Sequence, residues 1–200
     1  MTSRKGAKRQ AELLDSAERV LMSVGNANAS MRDFAAAADV RLGHLQHYYP
    51  TRADLIRAVL ERALQRSLER VSAATKFVDE VDTEVTLTES ETARLFHTLL
   101  AEHDDPSCVR MFMEIWGIAV SDKATAAVVR DFYTQYVGHI TDLVSCVRPE
   151  LDRPRCSAVA AAVVSLLEGA AVVHSSIGIE GSADSRSEIV RSAVALVHGS

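Results

Sequence analysis

The sequence is poor in cysteine and in the residues that interrupt helices. It contains 9 glycines and 4 prolines among 200 residues, and this scarcity disfavours a turn-rich β fold. The 3 cysteines, Cys108, Cys146 and Cys156, are odd in number and share no CxxC spacing. They predict a reduced protein without a disulfide framework. Hydrophobic residues make up 48% of the chain, which is enough for a globular core.

Sequence signals for membranes and for enzymes are also missing. The basic opening MTSRKGAKRQ is not followed by an apolar leader segment. The least charged run, from Cys156 to Leu167, is shorter than the roughly 20 residues that a membrane helix needs. We therefore expect a cytoplasmic protein with no membrane partner. The chain has no Gly-rich phosphate loop, nucleophile elbow or HExxH motif, so an enzyme is disfavoured and no cofactor is expected.

Charge is distributed unevenly along the chain. The net charge is −5, yet residues 1–70 hold 12 Lys and Arg against 8 Asp and Glu, whereas residues 71–200 hold 10 against 19. A basic N-terminal third on an acidic body is expected where only one end of a protein meets a polyanion. A chance distribution is the alternative, and charge alone does not decide between the two.

Apolar residues recur at helical spacing along most of the chain, and no segment indicates a strand. We predict an all-α fold of about nine helices, with a polar loop over 78–88. The predicted helices are 10–24, 31–38, 41–49, 52–77, 89–103, 106–120, 121–147, 155–177 and 185–198.

Residues that begin and end helices punctuate the N-terminal third. Ser30 with Asp33, and Thr51 with Asp54, match the capping box that opens a helix. Gly25 can take the left-handed conformation that ends one. Pro50 predicts that the third helix stops just before it.

The second and third helices are joined by a tight turn, which is the layout of a helix-turn-helix. Asp39 lies in this turn, and we expect it to cap the third helix. Projected at about 100° per residue, the third helix separates into two faces. The inward face holds Leu42, Leu45, Tyr48 and Tyr49, and the outward face holds Gly43, His44 and His47, flanked by Gln46.

The outward face predicts DNA recognition. Imidazole and amide groups can donate to or accept from base edges in the major groove. Arg41 and Arg52 stand at the two ends of the helix, and Tyr48 can offer its hydroxyl to a phosphate. The alternative is a metal site on His44 and His47, but no acid or cysteine nearby completes a ligand set. The predicted DNA-binding residues are Ser30, Met31, Arg32, Arg41, Leu42, Gly43, His44, Gln46, His47, Tyr48 and Arg52.

In these residues the chain resembles the tetracycline-repressor (TetR) family of bacterial regulators. The likeness runs from Gln10 to about Leu64. It rests on Ala17, Leu21, Gly25, Ser30, Phe34-Ala35, Ala38-Asp39-Val40, Gly43, Leu45-Gln46, Tyr48-Tyr49, Arg52 and Asp54-Leu55. The departures are Asp39 for the usual turn glycine, Arg41 for the usual serine and Gln46 for the usual tyrosine.

The resemblance implies a helix-turn-helix DNA-binding domain over 1–51 and a larger helical ligand-binding and dimerisation domain over 52–200. It also implies a homodimer formed through the last two long helices, 155–177 and 185–198. The residues agree, because helix 155–177 carries small side chains that let helices pack closely: Ala158, Ala161, Ala162, Ser165, Gly169 and Ala170. A two-fold dimer would present two recognition helices to a near-palindromic DNA operator.

Aromatic and methionine side chains on three consecutive helices are candidates for a small-molecule effector site. Ordinary core packing is the alternative for most of them. The candidate ligand-binding residues are Phe96, His97, Met113, Trp116, Tyr133, Tyr136 and His139. The sequence thus predicts a ligand-responsive regulator, with repression as the expected mode. The competing hypothesis is a helical small-molecule-binding or enzymatic protein without DNA binding.

Overall fold

The computed structural model describes residues 4–75, 87–101, 105–174, 179 and 181–200, with the side chains of residues 4 and 5 excepted. All regular elements in these residues are α-helices, nine in number, which confirms the all-α prediction. They are α1 Arg4–Val24, α2 Met31–Ala37, α3 Leu42–Tyr48, α4 Arg52–Thr75, α5 Glu89–Ala101, α6 Pro106–Ala119, α7 Lys123–Val147, α8 Arg153–Val173 and α9 Ala183–His198.

Two helices begin earlier than the sequence predicted. α1 begins at Arg4 instead of Gln10, because the basic N-terminal arm continues the helix. α8 begins two residues early, where the side chain of Asp152 accepts a hydrogen bond from the Arg155 amide at 2.9 Å. The predicted loop 78–88, apart from its last two residues, lies outside the described residues, and so do the predicted helix ends at 76–77, 102–103 and 175–177.

The chain divides into two compact units. The first comprises Met1–Gln65 and Arg110–Val128, and the second comprises Arg66–Val109 and Val129–Ser200. Helices α4, α6 and α7 therefore contribute residues to both units. The predicted functional boundary at residues 51 and 52 does not coincide with this division and stays a prediction.

The first unit buries one apolar side of each of its N-terminal helices. α1 and α2 pack against each other, and so do α2 and α3. The buried side chains include Leu13, Ala17, Leu21, Phe34, Ala35, Leu45, Tyr49, Leu55 and Val59. This core holds the turn between α2 and α3 in place.

In the second unit, α9 packs against both α8 and α5. The hydroxyl of Thr92 on α5 donates to the Thr88 carbonyl oxygen at 3.1 Å and lies 3.0 Å from Nε2 of His198 on α9. A threonine hydroxyl has a single proton to donate, so His198 is the donor in this pair. α7 and α8 are joined by the Tyr133 hydroxyl, which donates to the Glu168 carboxylate at 2.8 Å.

α8 combines length with a strongly apolar composition. By length and composition it could cross a membrane, and 33% of its most apolar window is buried inside the chain. The sequence expectation of no membrane segment rested on a shorter run, so it missed this property. Length and composition do not distinguish a membrane helix from one that is covered by other protein. The exposed face of α8 carries Ala158, Ala161, Ala162, Ser165 and Gly169.

Candidate DNA-binding surface

The turn that orients α3 is closed by backbone hydrogen bonds. The Val40 amide donates to the Ala35 carbonyl at 3.0 Å and the Asp39 amide donates to the Ala36 carbonyl at 3.1 Å. This pair is the Schellman arrangement, which places the intervening residue in the left-handed region. Asp39 accordingly has φ of 51°, and no other non-glycine among the described residues has a positive φ.

The expectation that Asp39 caps α3 was wrong. Arg41 occupies the N-cap position of α3, and no side chain bonds to the exposed amides there. Asp39 instead serves as the left-handed residue that ends α2. A short polar side chain tolerates this conformation better than most others do. The position is the one at which the sequence departed from the family's usual glycine.

The predicted division of α3 into two faces is confirmed. Leu45 and Tyr49 are buried, with 1% and 5% of their surface exposed, and Leu42 and Tyr48 are half-buried. Gly43, His44, Gln46 and His47 are exposed. The helix ends at Tyr48, and Tyr49 has the extended backbone expected before Pro50.

Gly43 leaves open space at the first turn of α3. A Cβ atom placed on it would meet no described atom within 4 Å, and its φ is not in the left-handed region. Neither packing nor backbone conformation in the described chain therefore requires glycine at this exposed position. Its absent side chain leaves room for another molecule to approach the backbone.

The two exposed imidazoles flank one tyrosine ring. The ring of Tyr48 lies 5.5 Å from that of His44 and 5.4 Å from that of His47, measured between centroids. The interplanar angles are 67° and 83°, which are edge-to-face contacts. The Tyr48 ring thus contacts the rings of both histidines on the outward side of the helix.

Both predicted capping boxes are present. The Ser30 amide donates to the Asp33 carboxylate at 2.8 Å and the Asp33 amide donates to the Ser30 hydroxyl oxygen at 3.3 Å. Thr51 and Asp54 exchange the same pair of bonds at 3.0 and 3.2 Å. Hydrogen bonds from Ser30 and Thr51 lower the pKa of Asp33 and Asp54 respectively. The Ser30 hydroxyl, predicted to contact DNA, also donates to Asp33 at 2.6 Å.

Arg52 makes bonds within the domain that the sequence did not predict. Its Nε donates to the Ala29 carbonyl at 2.8 Å, and its Nη2 donates to the carbonyl and, at 2.7 Å, to the side-chain oxygen of Asn26. The guanidinium therefore holds the loop that leads into α2. The phosphate contact expected of Arg52 stays a prediction, whereas Arg32 and Arg41 are exposed to solvent.

A second arginine of α4 holds α1. Arg62 donates to the Ala11 carbonyl at 3.1 Å, to the Asp15 carboxylate and to the Glu18 carboxylate at 3.3 Å. Its side chain and that of Glu18 are each 23% exposed, so the pair is partly shielded from solvent. Sequence reasoning missed this residue, because nothing local to it indicates a partner some 50 positions earlier.

α6 contacts the C-terminal end of α1 within the same unit. Arg110 donates to the Met22 carbonyl at 2.9 Å. Gly25 has φ of 76°, and a Cβ atom there would lie 3.1 Å from the Glu114 carboxylate. The left-handed conformation thus favours glycine at position 25, and the Glu114 side chain would have to shift slightly to admit any other residue. Two predicted ligand residues, Met113 and Trp116, lie on α6 and are half-buried.

The other predicted ligand residues lie in the second unit. Phe96 and Tyr136 are buried, Tyr133 and His139 are half-buried, and His97 is exposed. Tyr133 also borders an open groove of about 860 Å³ that contains none of the other six candidates. The groove is lined by Val129, Arg130, Tyr133, Thr134, Val137, Gly138, Thr141, Arg153, Pro154 and Ser157. A common effector site for the seven residues stays a prediction.

No group of three or more metal-binding side chains occurs among the described residues. This statement covers His44 and His47, for which a metal site was the alternative interpretation. The three cysteines form no disulfide, and Cys156 is buried.

Residues 13–59 match the family model described as bacterial regulatory proteins of the tetR family. This segment is similar to the N-terminal domain of tetR-family regulators. It contains most of α1, all of α2 and α3, and the beginning of α4. The predicted recognition helix therefore lies within the matched residues, and the match does not extend to the remainder of the chain.

Solved structures extend the likeness to nearly the whole length of the chain. A TetR-family regulator of Mesorhizobium loti is 15% identical, covers 96% of this chain and 95% of its own, and has a TM-score of 0.78. A TetR regulator of Haloarcula marismortui is 16% identical with 96% and 98% covered, and has a TM-score of 0.75. A regulator of Saccharomonospora viridis in complex with choline is 15% identical with 93% and 95% covered, and has a TM-score of 0.73.

At these identities the likeness shows the fold. The chain has the fold of TetR-family transcriptional regulators, and residues 13–59 match the tetR family model. A comparison with curated protein sequences gives no match.

Proposed function

We propose that the chain is a homodimeric, ligand-responsive transcriptional regulator that represses from a near-palindromic operator. The observation that carries this proposal is the outward face of α3. Within the segment that matches the tetR family model, a turn fixed by backbone bonds presents Gly43, His44, Gln46 and His47 to solvent. Such a face suits the major groove, which admits an α-helix and displays donors and acceptors to it.

The roles divide between base reading and phosphate binding. His44, Gln46 and His47 read base edges, and the missing side chain of Gly43 lets α3 lie close to the groove. Arg32 and Arg41 are exposed cations on either side of the turn and bind phosphates. Ser30, Met31, Leu42 and Tyr48 complete the contact surface. Arg52 acts indirectly, by holding the loop before α2.

Dimerisation through α8 and α9 accounts for the apolar exposure of these helices. Only 33% of the apolar window of α8 is buried by its own chain. Val173 at the end of α8 and Leu196 on α9 are large apolar side chains that are 48% and 40% exposed. A second copy would cover both helices and would set the distance between two recognition helices.

An effector would act by shifting a population of conformations. The relative from Saccharomonospora viridis was solved with choline, and we propose a small organic effector for this chain as well. α4 is one helix whose residues 52–65 belong to the unit with α3 and whose residues 66–75 belong to the other. In one conformation of the dimer the distance between the two recognition helices would not fit the operator. A ligand that binds this conformation more tightly would cause the protein to release DNA.

Binding to DNA is the test that separates this proposal from a helical protein without DNA binding. The full chain is titrated onto the DNA upstream of its own gene at several salt concentrations, by electrophoretic shift. We expect the logarithm of the association constant to fall steeply with the logarithm of the salt concentration. No binding at low salt would reject the proposal. His47→Ala is expected to reduce the preference for one DNA sequence over another. Arg41→Ala is expected to weaken binding to all DNA sequences by the same factor.

A further inference from the structure

An open groove of about 860 Å³ lies along one side of α7 and the start of α8. All of its lining residues belong to the second unit, seven on α7 between Val129 and Thr141 and three on α8 between Arg153 and Ser157. The volume lies within the roughly 300–1,000 Å³ typical of small-molecule sites. The groove is therefore large enough for a small organic molecule, and the residues that line it indicate which kind.

Gly138 borders this groove in the middle of α7. A Cβ atom placed on it would meet no described atom within 4 Å, and its φ is not in the left-handed region. Glycine inside a helix is less favourable than alanine, so this residue weakens α7 although neither packing nor conformation in the described chain requires it. The missing side chain keeps this wall of the groove open. Gly138 is thus better explained by an occupant of the groove than by the fold.

The charged side chains that line the groove are two arginines, Arg130 and Arg153, and no described carboxylate lines it. In residues 71–200 as a whole, by contrast, 10 Lys and Arg stand against 19 Asp and Glu. Both arginines are exposed, and no ion pair joins Arg130 to a carboxylate in the residues that the structure describes. The groove is thus locally cationic in an acidic part of the chain, which favours an anionic ligand over a cation.

Arg153 already has a carboxylate partner. Its Nη1 donates to Asp142 at 3.0 Å, and the two side chains are 68% and 50% exposed. An ion pair that is exposed to this extent contributes little stability. Asp142 lies twelve residues beyond Arg130 on α7, which is about 18 Å along the helix axis. Arg130 is therefore the arginine that is available to a ligand anion, and Arg153 stands at the far end of the groove.

The wall between the two arginines is largely apolar. Val137 and Pro154 contribute aliphatic groups to it. The hydroxyl of Thr134 donates to the Arg130 carbonyl at 2.8 Å, and the hydroxyl of Thr141 donates to the Val137 carbonyl at 2.7 Å. Because these hydroxyl protons are bonded to the backbone of α7, they are not offered to a ligand. A molecule that extends along the groove from Arg130 therefore needs an apolar body.

We propose that this groove binds an organic carboxylate with an apolar body and that this molecule is the effector. The carboxylate binds the Arg130 guanidinium, and the apolar body lies along Val137 and Gly138 towards Pro154. Two N–H groups of one guanidinium can bind a carboxylate together, which adds geometric selectivity. The inference deepens the proposed function, on which it rests, by naming the site and the chemical class of the effector.

Isothermal titration calorimetry of the full-length protein without DNA tests the site. The probes are decanoate, decan-1-ol and decyltrimethylammonium at submicellar concentrations, which share an apolar chain and differ in charge. We expect decanoate to bind about ten-fold more tightly than either of the others, because hydrogen bonds to charged groups are the stronger ones. Arg130→Gln should remove this preference and leave the affinity for decan-1-ol unchanged. Gly138→Leu, which places a side chain beside the groove, should weaken the binding of every probe.

A matched variant controls for the loss of a positive charge. Arg155 is an exposed arginine at the start of α8 that does not line the groove, so Arg155→Gln should keep the wild-type affinities. Circular dichroism shows whether each variant stays helical, and Arg130→Gln decides alone if Gly138→Leu does not fold. A changed oligomeric state of Gly138→Leu, measured by light scattering, would assign the groove to an interface between copies and would overturn the inference.

DNA binding separates this inference from the proposed function. In fluorescence anisotropy on the protein's own upstream DNA, decanoate should weaken binding of the wild type by about five-fold or more and should not affect Arg130→Gln. The inference is overturned if decanoate does not bind, if all probes bind equally, if the preference persists in Arg130→Gln, or if bound decanoate leaves the DNA affinity unchanged. Failure of the wild-type protein to bind DNA at low salt overturns the proposed function itself, and the calorimetry still decides whether the groove binds carboxylates.

Discussion

Asp39 and Gly43 lie four residues apart and have opposite relations to their surroundings. Asp39 takes a left-handed conformation without being glycine, while Gly43 is a glycine that neither packing nor backbone conformation in the described chain requires. The left-handed conformation of Asp39 lowers the stability of the fold, and the short polar side chain keeps this loss small. Gly43 weakens α3 at the place where close approach of DNA is proposed.

Replacing Asp39 tests the left-handed turn. Asp39→Gly is expected to raise the free energy of unfolding by about 0.5–1 kcal/mol, and Asp39→Val to lower it by about 1–2 kcal/mol, since a branched side chain clashes in this region. Urea denaturation measures both. The adjacent Ala38 has an ordinary φ of −90°, so Ala38→Gly should destabilise. A stabilising Ala38→Gly would argue against this account.

Gly43→Ala tests whether this glycine serves binding and not folding. Alanine in a helix is favoured over glycine by about 0.5–1 kcal/mol, so the variant should be more stable while binding DNA less tightly. Gly138 on α7 is the matched control, because a Cβ atom there also meets no described atom within 4 Å. Gly138→Ala should gain stability with unchanged DNA affinity. Equal affinities for the two variants would remove Gly43 from the proposed surface.

At the scale of helices, the domain is held by capping boxes at the starts of α2 and α4 and by arginines between helices. The caps involve residues three positions apart, and both were predicted from the sequence. The arginine contacts join residues such as Arg62 and Ala11, or Arg110 and Met22, that are far apart in the chain. They depend on how helices pack, which local patterns do not specify.

The caps make the first unit sensitive to acid. Because the folded pKa of Asp33 and Asp54 is depressed, their stabilisation is fully present above the ordinary pKa of about 4 and is lost as the pH falls through the lower folded value. We expect Asp33→Asn with Asp54→Asn to lose less stability between pH 5 and pH 2.5 than the wild type, measured by urea denaturation. Glu61→Gln, at an exposed site on α4, should retain the wild-type dependence.

Variants of Arg52 and Arg41 distinguish an arginine that positions the loop before α2 from one that binds a DNA phosphate. Arg52→Ala is expected to lower stability by about 2 kcal/mol, because it removes charged hydrogen bonds to Asn26 and Ala29. Its salt slope of DNA binding should equal that of the wild type. Arg41→Ala should leave stability unchanged and reduce the salt slope by about one. A reduced salt slope in Arg52→Ala would instead support the phosphate contact that the sequence predicted for Arg52.

For the whole molecule, the sequence alone predicted the helical class, the nine helices of the described residues and the two faces of α3. These features follow from periodicity and from motifs within a few residues. The grouping of the effector residues did not follow, because Met113 and Trp116 belong to one compact unit while Phe96, Tyr133 and Tyr136 belong to the other. Helical periodicity says which side of a helix is apolar, but not which other helix covers it.

The exposed face of α8 provides the test of assembly. Ala162→Glu places a charge among small exposed residues of this face and is expected to convert a dimer into a monomer, measured by light scattering after gel filtration. Ala124→Glu, at an exposed site near the start of α7, should leave the dimer unchanged. A wild-type monomer, or an Ala162→Glu variant that still dimerises, would exclude α8 as the interface.

The exposed face of α8 has a consequence for mass action in the cell. In the proposed dimer, a second copy would supply part of the folding free energy of α8, whose apolar window is only 33% buried by its own chain. The melting temperature should therefore rise with protein concentration, as for any chain stabilised by a partner that binds only the folded state. If the cell made few copies, a smaller fraction of the protein would be dimeric and folded. Less of it would then be bound to DNA and more would be degraded, so that the amount of the protein would itself regulate its activity.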